Sequence, residues 1–362
     1  MLSARKQVFA AIAAAAMLLV TNAPARAQAG GQTGPPPSPG KWGRMAPLPE
    51  KSEEFTFGDV NGKIYLFGGL PVNGKPPLGL VQEYDPATNT WSKKKNMPLA
   101  THHAAIAAYD GKLYLFGGQA QLEPGGPTQI PLNNTWEYDP ANDSWKALAP
   151  MPTARTAAVA ATVDGKIYVL GGASVHPGQK IVSLGPTVPH RSLDTNEVYD
   201  VKTNTWATKM TMPTARNHAA AGVVNGKIYV IGGRVGSSVI TTSSNTNVVE
   251  VYDPAKDLWG AAGLRMPTSR SGMGWATYEG KIYVVGGQVY DREVFGAIRA
   301  VEAYDPATNT WSMLPNMFTA RHGVNVAIIG DKLYVIGGHV QAAGTGGEAA
   351  NTDANEVYEF EK

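Results

Sequence analysis

Apolar and polar positions alternate in short blocks along this chain, and one block recurs. An apolar run ending in Gly-Gly occurs six times: IYLFGG (Ile64–Gly69), LYLFGG (Leu113–Gly118), IYVLGG (Ile167–Gly172), IYVIGG (Ile228–Gly233), IYVVGG (Ile282–Gly287) and LYVIGG (Leu333–Gly338). A spacing of roughly 50 residues marks an array of supersecondary units. In the third unit, Arg155 to Val163 is small and apolar, Asp164-Gly165-Lys166 is a tight hairpin connection, and Ile167 to Leu170 is β-branched and aromatic. Gly171-Gly172 ends that run, where the missing Cβ lets the backbone bend or approach a neighbour. Glu197 to Asp200 reads as a third strand, Lys202 to Thr205 as a second tight turn, and Trp206 lies on a fourth strand. Short strands and turn residues repeat without a sustained helical period, so the pattern predicts an all-β chain.

Strand parity predicts which surface varies. The first-to-second turns (Asn61-Gly62, Asp110-Gly111, Asp164-Gly165, Asn225-Gly226, Glu279-Gly280, Gly330-Asp331) are all short, as are third-to-fourth turns such as Pro86 to Thr90. In an up-and-down sheet both kinds of turn lie on one face. The loops after Gly-Gly and the links between units then share the other face and carry the length variation, the longest loop running from Ala173 to Thr195. Binding groups concentrate on loops held by a rigid scaffold.

The Gly-Gly runs, the Glu-Tyr-Asp element and the spaced tryptophans (Trp91, Trp145, Trp206, Trp259, Trp311) resemble the kelch family from about Lys41 to the C-terminus. The resemblance implies a six-bladed kelch β-propeller around a central channel, with four antiparallel strands per blade and the tryptophans wedged between blades. The last unit has no Trp strand before Lys362, whereas Trp42 precedes the first Gly-Gly, with Leu48-Pro49 where other units carry Met-Pro. The N-terminal segment is therefore expected to supply the outer strand of the sixth blade and to close the ring.

Residues 1–27 read as a secretory signal, with Arg5 and Lys6 ahead of an apolar Val8 to Val20 and a small-x-small site at Ala25-Arg26-Ala27. The apolar run is short of a bilayer span, so a stable membrane anchor is not expected. Residues 28–40 are a Gly/Pro-rich linker and 41–362 the propeller. Loss of Arg5, Lys6 and Arg26 with the signal takes the formal charge from +2 to −1, so the basic balance gives no argument for nucleic-acid binding. The chain has no cysteine, which excludes disulfides, thiol catalysis and thiolate metal sites. It also excludes the cross-linked Cys-Tyr chemistry of galactose oxidase, a kelch-like enzyme.

One residue per unit stands where the chain enters the innermost strand on the variable face: Ser52, Thr101, Arg155, Arg216, Arg270 and Arg321. Guanidinium groups converging on a channel mouth would hold a carboxylate or phosphate bidentately. The alternative is that they bond carbonyls of adjacent blades or pair with the repeated Glu83, Glu137, Glu197, Glu250, Glu302 and Glu356, which read as structural. Units 1 and 2 carry Ser52-Glu53-Glu54 and Thr101-His102-His103 instead, and His218 and His322 occupy neighbouring positions in units 4 and 6. The expected ligand-binding set is Arg155, Arg216, Arg270, Arg321, Glu53, His102, His218 and His322, with Glu54 and His103 as candidate proton carriers. No metal and no cofactor is expected, because the sequence neighbours His102 and His103 point to opposite faces of a strand and would not chelate one ion. Trp275 replaces a small residue on an inner strand, where it either lines the channel or fills space between blades, packing being the expected role; Trp136 lies beside the loop face, where it either stacks on a sugar ring or serves the core.

Two functional readings follow. One is a secreted or periplasmic binding module, monomeric, holding a protein, peptide or acidic saccharide on its loop face. The other is an enzyme: in size, signal and repeats the chain is similar to periplasmic N-acetylneuraminate epimerases, which implies anomeric exchange on an acidic sugar. Fold alone does not choose between them.

Overall fold

The computed structural model describes residues 40–361 apart from 72–78, 124–125, 128, 179–183, 185–188, 237–243, 291–294 and 343–349. The chain divides into two units, Met1–Gly31 and Gln32–Lys362, of which only the second includes described residues. The expected signal segment, nearly all of the linker and parts of the long loops lie outside the described residues.

Among the described residues the second unit forms six four-stranded antiparallel sheets, each a blade. The innermost strands (Thr56–Val60, Ala105–Tyr109, Val159–Val163, Ala220–Val224, Gly274–Tyr278, Asn325–Ile329) touch one another in a closed cycle, the sixth returning to the first. Small residues dominate there because six strands crowd round one axis. The second strands, such as Lys166–Leu170, are buried after their first residue and pack between blades. The molecule is the expected six-bladed propeller.

Ring closure follows the expected pairing. Lys41–Arg44 lies antiparallel to Asn355–Glu359 as the outermost strand of blade 6, with Trp42 opposite Tyr358. The Gly40 N–H donates to the Tyr358 hydroxyl at 2.7 Å, and Leu48 is buried beside Gly337, in the place that the Met-Pro methionines fill elsewhere.

One device staples blade to blade. The tryptophan of each outermost strand packs on the tyrosine of its own sheet, as in Tyr199–Trp206 with ring centroids 5.1 Å apart. Its indole N–H donates to a carbonyl at the end of the preceding blade, Trp206 to Ala149 at 2.8 Å and Trp42 to Pro315 at 2.8 Å. The third-to-fourth turn adds an Asn or Asp with positive φ; Asn204 Oδ1 accepts from the Tyr199 hydroxyl at 2.7 Å and from the Ala149 N–H at 2.8 Å. These bonds satisfy buried polar groups that a tightly packed inter-blade seam would otherwise strand.

The links between blades and the segments after Gly-Gly lie on one face, as parity requires. They pair directly, Glu53 with Leu70, His102 with Gln119, Asn217 with Arg234 and His322 with His339.

Candidate functional site at the channel mouth

The four motif arginines do not line the mouth, which corrects the expectation that Arg155, Arg216, Arg270 and Arg321 bind an anion there. Their side chains are fully buried, each against a glutamate of its own blade. Arg155 donates to Glu197 at 2.9 Å and to the Val169 carbonyl at 3.1 Å; Arg270 donates to Glu302 at 2.7 Å. Arg216 meets Glu250, and Arg321 lies 3.3 Å from Glu356 while donating to the Gly337 carbonyl at 2.9 Å. Burial pushes the Arg155 guanidinium down to about 10, still charged at neutral pH. The backbone carbonyls of these arginines accept from Gly118, Gly172, Gly233 and Gly287 of the preceding blade. Each arginine is thus a rivet between blades, its side chain spent on one and its carbonyl on the other.

The repeated glutamates also divide. Glu197, Glu250, Glu302 and Glu356 stand two residues before the motif tyrosine, whereas Glu83 and Glu137 stand one residue before Tyr84 and Tyr138. Adjacent strand positions face opposite sides. Blades 1 and 2, which lack the arginine, carry Gln82 and Trp136 at the arginine-facing position. Their glutamates bond elsewhere, Glu83 to Lys63 at 2.8 Å and Glu137 to Lys112 at 2.6 Å. Trp136 is partly buried against the core shared by blades 1 and 2, a packing role.

The mouth itself is framed by a ring of backbone. Glu54, His103, Ala157, His218, Gly272 and Gly323, one residue per blade, all adopt positive φ between 51° and 61°. Their amides and carbonyls bond from blade to blade: His103 to Glu54 (3.3 Å), Ala157 to His103 (2.9 Å), His218 to Ala157 (3.0 Å), Gly272 to His218 (3.0 Å) and Gly323 to Gly272 (2.8 Å). The left-handed conformation is costly for residues other than glycine, so Glu54, His103, Ala157 and His218 are held there by the surrounding ladder.

The expected proton carriers meet in this ring. His103 Nε2 lies 3.3 Å from Glu54 Oε2, and His322 Nε2 lies 3.8 Å from Glu54 Oε1. His103 and His218 are neighbours, with ring centroids 5.2 Å apart. His102 is buried behind His103, the two Nδ1 atoms 2.5 Å apart. The Glu53 side chain lies outside the described residues. Burial pushes His102, His103 and His218 below the usual imidazole range and His322 down to about 4, so these rings are neutral at pH 7. Arg234 is a charged neighbour of this group that the sequence reading missed. It is buried at the first position after the fourth Gly-Gly, and its charge also pushes down His103, His218 and His322. The signal was present: that position holds Leu70, Gln119, Ala173, Gln288 and His339 in the other units, so Arg234 belongs to one copy alone.

Beneath the ring lies a cavity of about 80 Å³ lined by Glu54, His103, His218, Phe57 and Trp275 among others. Phe57 and Trp275 meet edge to face across the channel, centroids 5.9 Å apart, and separate this cavity from a larger one of about 390 Å³ towards the other end. Trp275 thus does both things open to it, lining the channel and packing against the cores beside it.

Among the described residues no helix is long and apolar enough to cross a membrane. The profile of the KLHDC2/KLHL20/DRC7 kelch-repeats domain matches residues 40–206 and 152–338. Kelch-like protein terF of Aspergillus terreus is 31% identical over 325 residues, covering 85% of this chain and 67% of that protein. Beta-scruin of Limulus polyphemus is 29% identical over 246 residues, 66% of this chain, and Kelch-like protein 41a of Danio rerio is 25% identical over 227 residues, 63% of this chain. The chain spans only 25% and 34% of the lengths of those two proteins. The solved structure of YjhT superimposes with a TM-score of 0.68 at 17% identity, covering 86% of this chain and 96% of that one, a likeness of fold. With repeats, blade register and profile in agreement along nearly the whole propeller, the chain belongs to the kelch-repeat family.

Proposed function

We propose that this protein is an exported kelch-repeat binding module that holds its ligand, a protein segment or an acidic saccharide, at the channel mouth on the loop face. The observation that carries the reading is the convergence of Glu54, His103 and His218, from three different blades, on one cavity that opens among the variable loops. The opposite face has only short turns, and Glu54, His103 and His218 are the one group of three or more His, Asp or Glu side chains within ligand distance of one another among the described residues. Export to the periplasm or beyond rests on residues 1–27. Hydrogen–deuterium exchange of the full chain with a captured partner or an acidic saccharide tests the site. Protection is expected at residues 52–54, 101–103 and 217–218. Protection confined to the hairpins at 61–62, 110–111 and 225–226 would sink the reading.

A second reading, anomeric exchange on an acidic sugar, has its own support. Glu54 and neutral His103 are 3.3 Å apart, close enough for both to reach one sugar hydroxyl and exchange its proton, and the charge of the buried Arg234 nearby favours an anionic sugar. Following the anomers of sialic acid or a uronic acid by NMR decides it: exchange no faster than in buffer, with binding still detectable, leaves only the binding module.

A further inference from the structure

We propose that Glu54, His103 and His218 form a binding site for a divalent first-row transition ion of the zinc type. One ligand atom from each residue lies within 4.8 Å of the other two. The three residues come from blades 1, 2 and 4, and the bonded backbone ring fixes their relative positions. The 3.3 Å between His103 Nε2 and Glu54 Oε2 is the separation expected for two ligands placed tetrahedrally about 2.0 Å from one zinc ion.

The proton positions point the same way. Asn217 Nδ2 donates to Ser192 Oγ at 2.9 Å, which orients the amide so that its Oδ1 accepts from His218 Nδ1–H at 2.5 Å. His218 Nε2 is left as the ring nitrogen with a free lone pair, on a residue that lines the cavity. Gln119 Nε2, which can only donate, faces His102 Nδ1 at 3.4 Å, so His102 Nδ1 is the acceptor and the shared proton in the 2.5 Å contact belongs to His103 Nδ1. His103 Nε2 then presents a lone pair to a carboxylate oxygen, two electron-rich atoms that a cation between them would reconcile. Metal-binding imidazoles characteristically donate their other N–H to such a second partner. Two imidazoles and one carboxylate suit a borderline ion and leave a coordination position open to the cavity below. Arg234 adds positive charge beside the site, which lowers affinity for a cation and favours an anion in that open position. The site uses the same three residues as the proposed ligand-binding mouth, but metal uptake by the protein alone can be tested apart from any captured ligand.

The test is titration of tag-free, EDTA-dialysed full chain with Zn²⁺, and with Co²⁺ for its visible absorption. One equivalent of each is expected, with a Co²⁺ spectrum of low coordination number. Glu54→Gln and His218→Asn, the latter chosen because Asn tolerates the left-handed backbone, should each weaken Zn²⁺ binding at least about 10-fold, and Asn217→Ala, which removes the orienting acceptor together with its bond to Ser192, about 10-fold or more. His176→Ala, outside the cluster, should leave it unchanged. Circular dichroism melts establish that each variant folds; for any that does not, the Co²⁺ spectrum of the unaltered protein decides. No stoichiometric binding by the unaltered chain, a spectrum of octahedral aquo-type Co²⁺, or unchanged affinity in folded Glu54→Gln or His218→Asn would overturn the proposal.

Discussion

At the residue scale, this propeller shows how a charge can be spent on architecture. Arg270 and Glu302 are both fully buried and bond at 2.7 Å. Removing one partner leaves an uncompensated charge, so Arg270→Met should lower unfolding free energy by about 3–5 kcal/mol, and the double variant with Glu302→Gln should recover part of it in urea titrations. Lys63→Ala removes a surface partner of Glu83 and should cost less than about 1 kcal/mol. The turn position of the blade staple offers a pH test. Burial raises the Asp257 carboxyl, but the Tyr252 hydroxyl, the Met210 N–H and Lys209 outweigh it and hold the group below its usual value. A depressed carboxyl contributes stability that is present above the unfolded value near 3.8 and lost as pH falls through the folded one. Asp257→Asn restores the residue found at Asn89, Asn204 and Asn309, so it should change the urea midpoint little at pH 7 and should flatten its fall between pH 4 and pH 2.

At the scale of the element, the Gly-Gly pair is where strand and neighbour meet most closely. Gly171 has φ +65°, and a Cβ there would lie 2.5 Å from the Arg216 carbonyl oxygen of the next blade's link. Gly226, in a hairpin, has φ +71° and nothing within 4 Å. Gly226→Ala should therefore cost only the left-handed penalty of about 1–2 kcal/mol, and Gly171→Ala distinctly more, measured as thermal midpoints of the two variants side by side. The strands were legible from alternation and turn chemistry, and their parity placed the variable loops. The glutamate register was legible too, since counting back from Tyr199 or Tyr84 separates the arginine partners from the lysine partners. Treating all six glutamates as one motif concealed that split, and with it the fate of the arginines.

At the scale of the molecule, closure is the central feature. Residues 41–49 contribute an outermost strand, the Trp42 staple and buried Leu48 to a sheet otherwise made by the other end of the chain. Deleting them should lower the melting temperature by about 10 °C or more, since Leu48→Ala alone is worth about 2–5 kcal/mol. An unchanged melt would contradict the closed ring. By itself the sequence determined the repeat, the blade count, the strand parity and the partner of the first strand, because these depend on periodicity and spacing, which are properties of a line. The sequence nominated a wide set of ionisable groups for the mouth, and only the tertiary structure decided which of them meet there and which turn away. Glu54, His103 and His218 come from three blades, and the left-handed turn at each ring position aims its side chain in a way that strand alternation does not foretell. The arginines show the same limit from the other side: four equivalent residues near an axis can face it or turn into their own sheets, and the buried glutamate two places before each tyrosine drew them in.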